Sequence, residues 1–278
     1  MELNISETIG IEYELIVIDN SNNKYSIFEA YNIGIKKSKY SNLCFAHEDI
    51  IIKSQNWGEI ICSKLTNPEI GFLGVAGGKL MPRVPASWSA YGVVKNFIQS
   101  DLSKNNKSIH EYKTPDTNTD LVEVCLLDGV FFCARKEIFN TISFDEKTFK
   151  GFHVYDIDIC LQAKQMGLKN YVIFDVLIEH FSHGFRSKEW VSNLLLLEMK
   201  WRKHLPMGAI DLGKEELIRI DKKCLSSLQK RMVRLGFTLK EVIESTNYFW
   251  HLLYPQKTRF QLRIRIISIR VLHAVNIH

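Results

Sequence analysis

Asn42-Leu43-Cys44-Phe45-Ala46-His47-Glu48-Asp49 begins as a short apolar run and ends as a polar cluster. An apolar run of this length suits a strand buried on both faces, as in a parallel sheet. Ligands of such sheets gather outside the carboxyl ends of the strands, and His47, Glu48 and Asp49 stand there. The pattern recurs along the chain. Tyr13-Glu14-Leu15-Ile16-Val17-Ile18 runs into Asp19 and the polar turn Asn20-Ser21-Asn22-Asn23. A strand over 121–127 leads into Asp128-Gly129, and one over 171–178 ends at Glu179-His180. Another strand is expected over 70–75. Helical spacing predicts helices over 26–38 (Ile27, Phe28, Tyr31, Ile35), 56–66 and 155–167, the last with Gly167 as its C-cap. Residues 79–120, with Pro82, Pro85 and Pro115, read as a long excursion with a short hairpin. Strands alternating with helices predict an α/β domain with a mostly parallel sheet over 1–185, followed by a helical extension over 186–278.

The 278 residues, 46% of them hydrophobic, suffice for a large core, and 24% charged residues exclude a disordered or collagen-like chain. The net charge of +5 is unevenly spread. Residues 1–185 hold 18 basic and 23 acidic side chains, whereas 186–278 hold 18 and 8. The acidic part is expected to carry the site, and the basic part either a solvated helical face or a surface for an anionic partner. The six cysteines form no CxxC pair and most sit in apolar runs, which predicts reduced thiols. Met1 to Gly10 does not have the pattern of a signal peptide, and no apolar run approaches the roughly 20 residues a membrane span needs. The expected location is the cytoplasm, with the inner face of the membrane kept open.

Moving a sugar from a nucleotide diphosphate requires neutralising the leaving diphosphate and taking a proton from the acceptor hydroxyl. A divalent cation held by carboxylate and imidazole meets the first need, and a carboxylate base meets the second. The chain offers an x-x-D triplet at His47-Glu48-Asp49, the pair Asp156-Ile157-Asp158 opening a helix, and His180-Phe181-Ser182-His183-Gly184 after a strand.

Taken in order, Glu7–Gly10, Glu14–Asn20, Ala30–Gly34, Phe45–Asp49, Gly74–Gly77, Asp128-Gly129, Phe152–Cys160 and His180–Gly184 resemble the family 2-like glycosyltransferases of the GT-A fold, within them the branch of StrF-type domains. The resemblance covers about residues 5–185. It implies a nucleotide-diphospho-sugar transferase fold and an inverting transferase that needs Mn2+ or Mg2+. Its donor would be a UDP- or dTDP-sugar and its acceptor a glycan or lipid-linked hydroxyl, in the building of a surface polysaccharide. Nucleic acid is not an expected partner. The resemblance makes Asp156 the general base with Asp158 as its support. Asp49, His47 and His180 become the metal ligands, His183 being the alternative to His180. Asp19 and Asn20 would contact the nucleotide, and Asp128 and Gly129 the transferred sugar.

Family members open with an apolar strand before the first helix, and nothing in Met1–Tyr13 has that pattern. The catalytic domain is therefore expected to lack its first strand, whether through a late start, a truncation or a decayed copy. A non-catalytic nucleotide- or sugar-binding relic is the alternative, and a hydrolase working through the HxxH pair is a third reading. Residues 259–273 alternate basic and apolar side chains, so 256–278 could lie on an anionic membrane or pack on the domain.

Overall fold

The computed structural model describes residues 1–101, 107–113, 119–182, 184, 186–253, 266, 267 and 269. The chain opens with α1 (Glu2–Thr8) and α2 (Ile27–Lys37), then β1 (Asn42–Ala46), β2 (Ile50–Ile52), α3 (Trp57–Leu65), β3 (Ile70–Gly74), β4 (Ala76–Gly78) and β5 (Leu80–Met81). A hairpin follows, β6 (Val94–Asp101) with β7 (Lys107–Lys113), then β8 (Leu121–Val124), β9 (Leu126–Leu127) and β10 (Phe131–Arg135). Next come α4 (Tyr155–Gln165), β11 (Lys169–Ile173), β12 (Ile178–His180), α5 (Lys188–Trp201), β13 (Met207–Gly208), α6 (Lys214–Arg234) and α7 (Leu239–Leu253).

The central sheet has the order β1-β10-β3-β11-β8. Strands β1, β3 and β11 share one direction, while β10 and β8 run against them, so the ladders are mixed and only β11 with β3 is parallel. The mostly parallel sheet expected from the apolar runs is thus parallel in three of its five strands. Continuous apolar burial, all five residues in β3, reports coverage on both faces whichever way the neighbour runs. A second sheet, β2-β12-β6-β4-β9, carries β7 on β6. The hairpin in the 79–120 excursion is longer than its weak periodicity suggested, pairing Lys95 with Lys113 through Asp101 with Lys107.

Two features of the N-terminal region bear on the site. Residues 11–18 take up no regular secondary structure, and among the described residues no backbone hydrogen bond pairs them with a neighbouring strand, so the strand expected there is not formed. Among the described residues strand β1 pairs with β10 on one side only, and β1 and residues 13–18 line the same cleft. A Ser26–Glu29 capping box opens α2: Ser26 N donates to Glu29 Oε2 at 2.8 Å and Glu29 N to Ser26 Oγ at 3.3 Å. Such a cap contributes about 1 kcal/mol.

Beneath the site lies an aromatic core, in which Phe45 stacks on Phe132 at 4.9 Å and Tyr31 meets Tyr155 edge-on at 5.5 Å. Each fully buried ring, such as Phe28 or Phe132, contributes about 1.5–3 kcal/mol. The helical extension shares a core with the rest of the chain, because Leu80 and Val84 pack with Val191, Leu228 and Phe249. Most of 256–278, including the basic-apolar pattern, lies outside the described residues. Among the described residues no helix is long and apolar enough to cross a membrane.

Candidate active site

The register of β2 against β12 assembles the first cluster. His180 pairs with Ile50, and Phe181 N donates to the Asp49 carbonyl at 3.1 Å, so two distant segments bring His180 beside Asp49. The backbone N–H of His47 donates to Val130 O at 3.0 Å, which fixes the chain as it leaves β1. The result is His180 Nε2 at 3.6 Å from Asp49 Oδ2 and His47 Nδ1 at 3.9 Å from Asp49 Oδ1. One ligand atom from each of the three residues lies within 4.8 Å of the others.

Both imidazoles are oriented from behind. His47 Nε2 lies 2.9 Å from the Tyr155 hydroxyl, and His180 Nδ1 lies 3.3 Å from Gln99 Oε1. With those nitrogens protonated, Nδ1 of His47 and Nε2 of His180 carry their lone pairs on the Asp49 side, the arrangement that outer hydrogen bonds give metal-binding histidines. The Nε2 of His180 also lies 3.3 Å from Ser182 Oγ. Burial pushes the His47 pKa down, against the pull of Asp128 and Asp49, and favours the neutral ring that a metal needs. Two imidazoles and one carboxylate suit Mn2+ better than Mg2+, which prefers oxygen ligands.

The second cluster is built at the start of α4. Val154 precedes it with φ +66° and ψ 5°, an uncommon conformation for a β-branched residue, and Tyr155 and Asp156 follow on the cleft side. Asp156 Oδ2 accepts from Gly129 N at 3.1 Å and Oδ1 from Ile157 N at 2.9 Å. Its pKa is pushed up to about 7, first by burial and then by the negative charge of Asp128, while the two N–H donors pull it back. Asp128 is held through Oδ1 by Val130 N at 2.9 Å. A Cβ on Gly129 would stand 2.1 Å from the Tyr155 hydroxyl, so only glycine lets the phenol reach His47.

His47, Asp49, Asp128, Gly129, Asp156 and His180 line one cleft of about 1530 Å³, together with Trp88 and residues 11–18. A cleft with converging carboxylates and imidazoles, one carboxyl displaced toward neutral pH, has the make-up of a catalytic site.

The model of the glycosyltransferase-like family matches residues 2–195, well over half of the chain. The chain belongs to this family. It is similar to the streptomycin biosynthesis protein StrF of Streptomyces griseus, at 24% identity over 188 residues. That match covers 65% of this chain and 61% of StrF, so the chain spans less than two thirds of that relative. A crystal structure of GalNAc-T7 with UDP, GalNAc and Mn2+ superposes with a TM-score of 0.43 and 14% identity, over 72% of this chain and 41% of the other.

Some expected site residues of this glycosyltransferase-like chain lie elsewhere. Asp158 is buried, with Oδ1 accepting from Trp201 Nε1 at 2.7 Å and Oδ2 from Gln162 Nε2 at 2.8 Å and Lys200 Nζ at 2.9 Å. It ties α4 to α5 and does not line the cleft. Asp19 is exposed and accepts from Ser21 N at 3.0 Å, an Asx turn. Asn20 closes the loop by bonding Tyr25 through its backbone N and O, each at 2.8 Å. Neither Asp19 nor Asn20 lines the cleft. His183 lies outside the described residues. Sequence reasoning missed Tyr155 and Gln99. Tyr155 had a signal in its place directly before Asp156, whereas Gln99 had none, because only the parallel pairing of β6 with β12, His180 opposite Gln99, brings it in.

Proposed function

We propose that this chain moves a sugar from a UDP- or dTDP-sugar to a hydroxyl of a glycan or lipid-linked acceptor, with inversion and with the help of a divalent cation. The observation that carries this reading is one cleft holding both the His47–Asp49–His180 group and the carboxylate of Asp156. Bound by His47, Asp49 and His180, Mn2+ would neutralise charge on the leaving diphosphate. Asp156 would take the acceptor proton, a role supported by its pKa of about 7, since a base working near neutrality wants a pKa near 7. Gly129 N and Ile157 N hold that carboxylate still. Asp128 stands beside it and keeps its affinity for a proton high. A single carboxylate base without a second nucleophile suits direct displacement. The expected surroundings are the cytoplasm or the inner face of the membrane.

Calorimetric titration of UDP with and without Mn2+ tests the reading. Binding that requires Mn2+ in the native chain and is lost in Asp49→Ala supports it. Equal binding without metal, or in Asp49→Ala, would remove the metal centre from the proposal. The open edge of β1 and the unpaired segment 11–18 favour a second reading, a non-catalytic nucleotide- or sugar-binding relic. Metal-dependent UDP binding with no transfer to any acceptor, and no further loss in Asp156→Asn, would select the relic.

A further inference from the structure

Beside the cleft, Arg186, Trp190, Lys223, Ser227 and Arg231 line a smaller pocket of about 240 Å³. Lys223, Ser227 and Arg231 are spaced four apart along α6 and so share one helical face. Trp190, on α5, is flanked by both guanidiniums, Arg231 at 4.7 Å and Arg186 at 5.7 Å from its ring. Two like charges on one indole repel each other. Arg231 Nη1 is buried without a hydrogen-bond partner, and among the described residues neither arginine makes an ion pair. A buried cationic donor without an acceptor is costly, and burial and the charges of Arg186 and Arg234 depress the Arg231 pKa. A multivalent anion is the ligand that would relieve all of this.

The pocket is smaller than a typical site for a drug-sized ligand, which suits a small anionic head. Three cations match a dianion better than a single carboxylate, and guanidiniums grip phosphate oxygens in pairs. Ser87, Arg186 and Trp190 also line the large cleft, so the two spaces adjoin.

We infer that this pocket binds the phosphate or diphosphate group of the acceptor, alongside the donor cleft. The inference rests on the transferase reading, because it assigns the bound group to the acceptor.

The test is calorimetric titration of inorganic phosphate into the full chain in metal-free buffer. Phosphate is expected to saturate the native chain. Arg186→Gln and Arg231→Gln should each weaken binding at least tenfold, Lys223→Gln several-fold, and Arg231→Lys less than Arg231→Gln. Circular dichroism melting shows which variants fold, and Lys223→Gln, on an exposed side chain, serves if the Arg231 variants do not. UDP binding with Mn2+ should be unchanged in Lys223→Gln and Arg231→Gln, since neither residue lines the donor cleft. Absent phosphate binding, or binding indifferent to these substitutions, overturns the site. A parallel loss of UDP affinity assigns the pocket to the donor and overturns the acceptor role. Phosphate binding in a chain that does not bind UDP would sink the transferase reading and leave an anion site. Displacement of phosphate by a soluble sugar 1-phosphate, or by vesicles containing a polyprenyl phosphate but not by vesicles lacking it, tells which acceptor brings the group. Displacement by neither overturns the acceptor role.

Discussion

Asp156 carries the sharpest prediction at the scale of single residues. Its folded-state pKa of about 7 lies above the unfolded carboxylate value of about 3.9. Between those values the folded chain holds a proton that the unfolded chain has released, so stability falls as pH rises through about 7. Asp156→Asn removes that loss. It is expected to melt higher than the native chain at alkaline pH and at the same temperature only below the unfolded carboxylate pKa of about 4, while transfer falls by roughly 10²–10⁴-fold, the usual contribution of a general base. An unchanged transfer rate would remove Asp156 from the role. Tyr155→Phe tests the orientation of His47: Mn2+ affinity, followed by electron paramagnetic resonance, is expected to drop about tenfold, as for other outer hydrogen bonds to metal ligands. Gly129→Ala should do the same by displacing the phenol.

At the scale of elements, the tie between α4 and α5 runs through Asp158. Its two oxygens take Trp201, Lys200 and Gln162, and Lys200 Nζ also reaches Asp145 at 2.8 Å. Asp158→Ala leaves an indole N–H and part of an ammonium charge unpaired, and breaking a buried pair this way costs about 3–5 kcal/mol. Urea denaturation should show the loss, and UDP affinity of the folded fraction should stay. A variant as stable as the native chain would show that the tie is dispensable. Strand β1 offers a second measurement. As an edge strand it leaves its outward amides unpaired, so amide exchange should be fast at alternate residues of β1 and slow throughout β3, which is paired on both sides.

Across the whole molecule, the helical extension acts as part of the core. Leu80, Val84 and Val191, each at most 2% exposed, pack under α6 and α7. Asp221, on α6, binds Arg83 through Nε and Nη2, both at 2.7 Å, and accepts from Arg83 N at 2.9 Å. A chain ending at residue 212 uncovers these residues and is expected to aggregate or to melt well below the full chain, as read by size-exclusion chromatography and thermal melting. A soluble fragment with the native melting temperature would make the extension an independent unit. The uneven charge seen along the chain also has a place in the fold, since α6 brings Lys223 and Arg231 to a pocket beside the acidic cleft.

The sequence alone determined the α/β class, helix starts at 26, 56 and 155, within one residue of those observed, and the placing of His47, Asp49, Asp128 and His180 at the ends of strands. These are local matters, set by the period of apolar side chains and by residues that end an element. The sequence could not say which strand lies beside which, because an apolar run is equally buried by a parallel or an antiparallel neighbour. Nor could it separate Asp156 from Asp158, which stand two residues apart on one helix turn and face different neighbours, Gly129 and Trp201. Asp19 looked like a site residue by its place after an apolar run, but that run lines the cleft without joining a ladder, and the Asp19 carboxylate closes its own turn outside the cleft. Only the tertiary structure decided these points, because pairing across the sheet and the pocket around α5 and α6 depend on contacts between residues far apart in the chain.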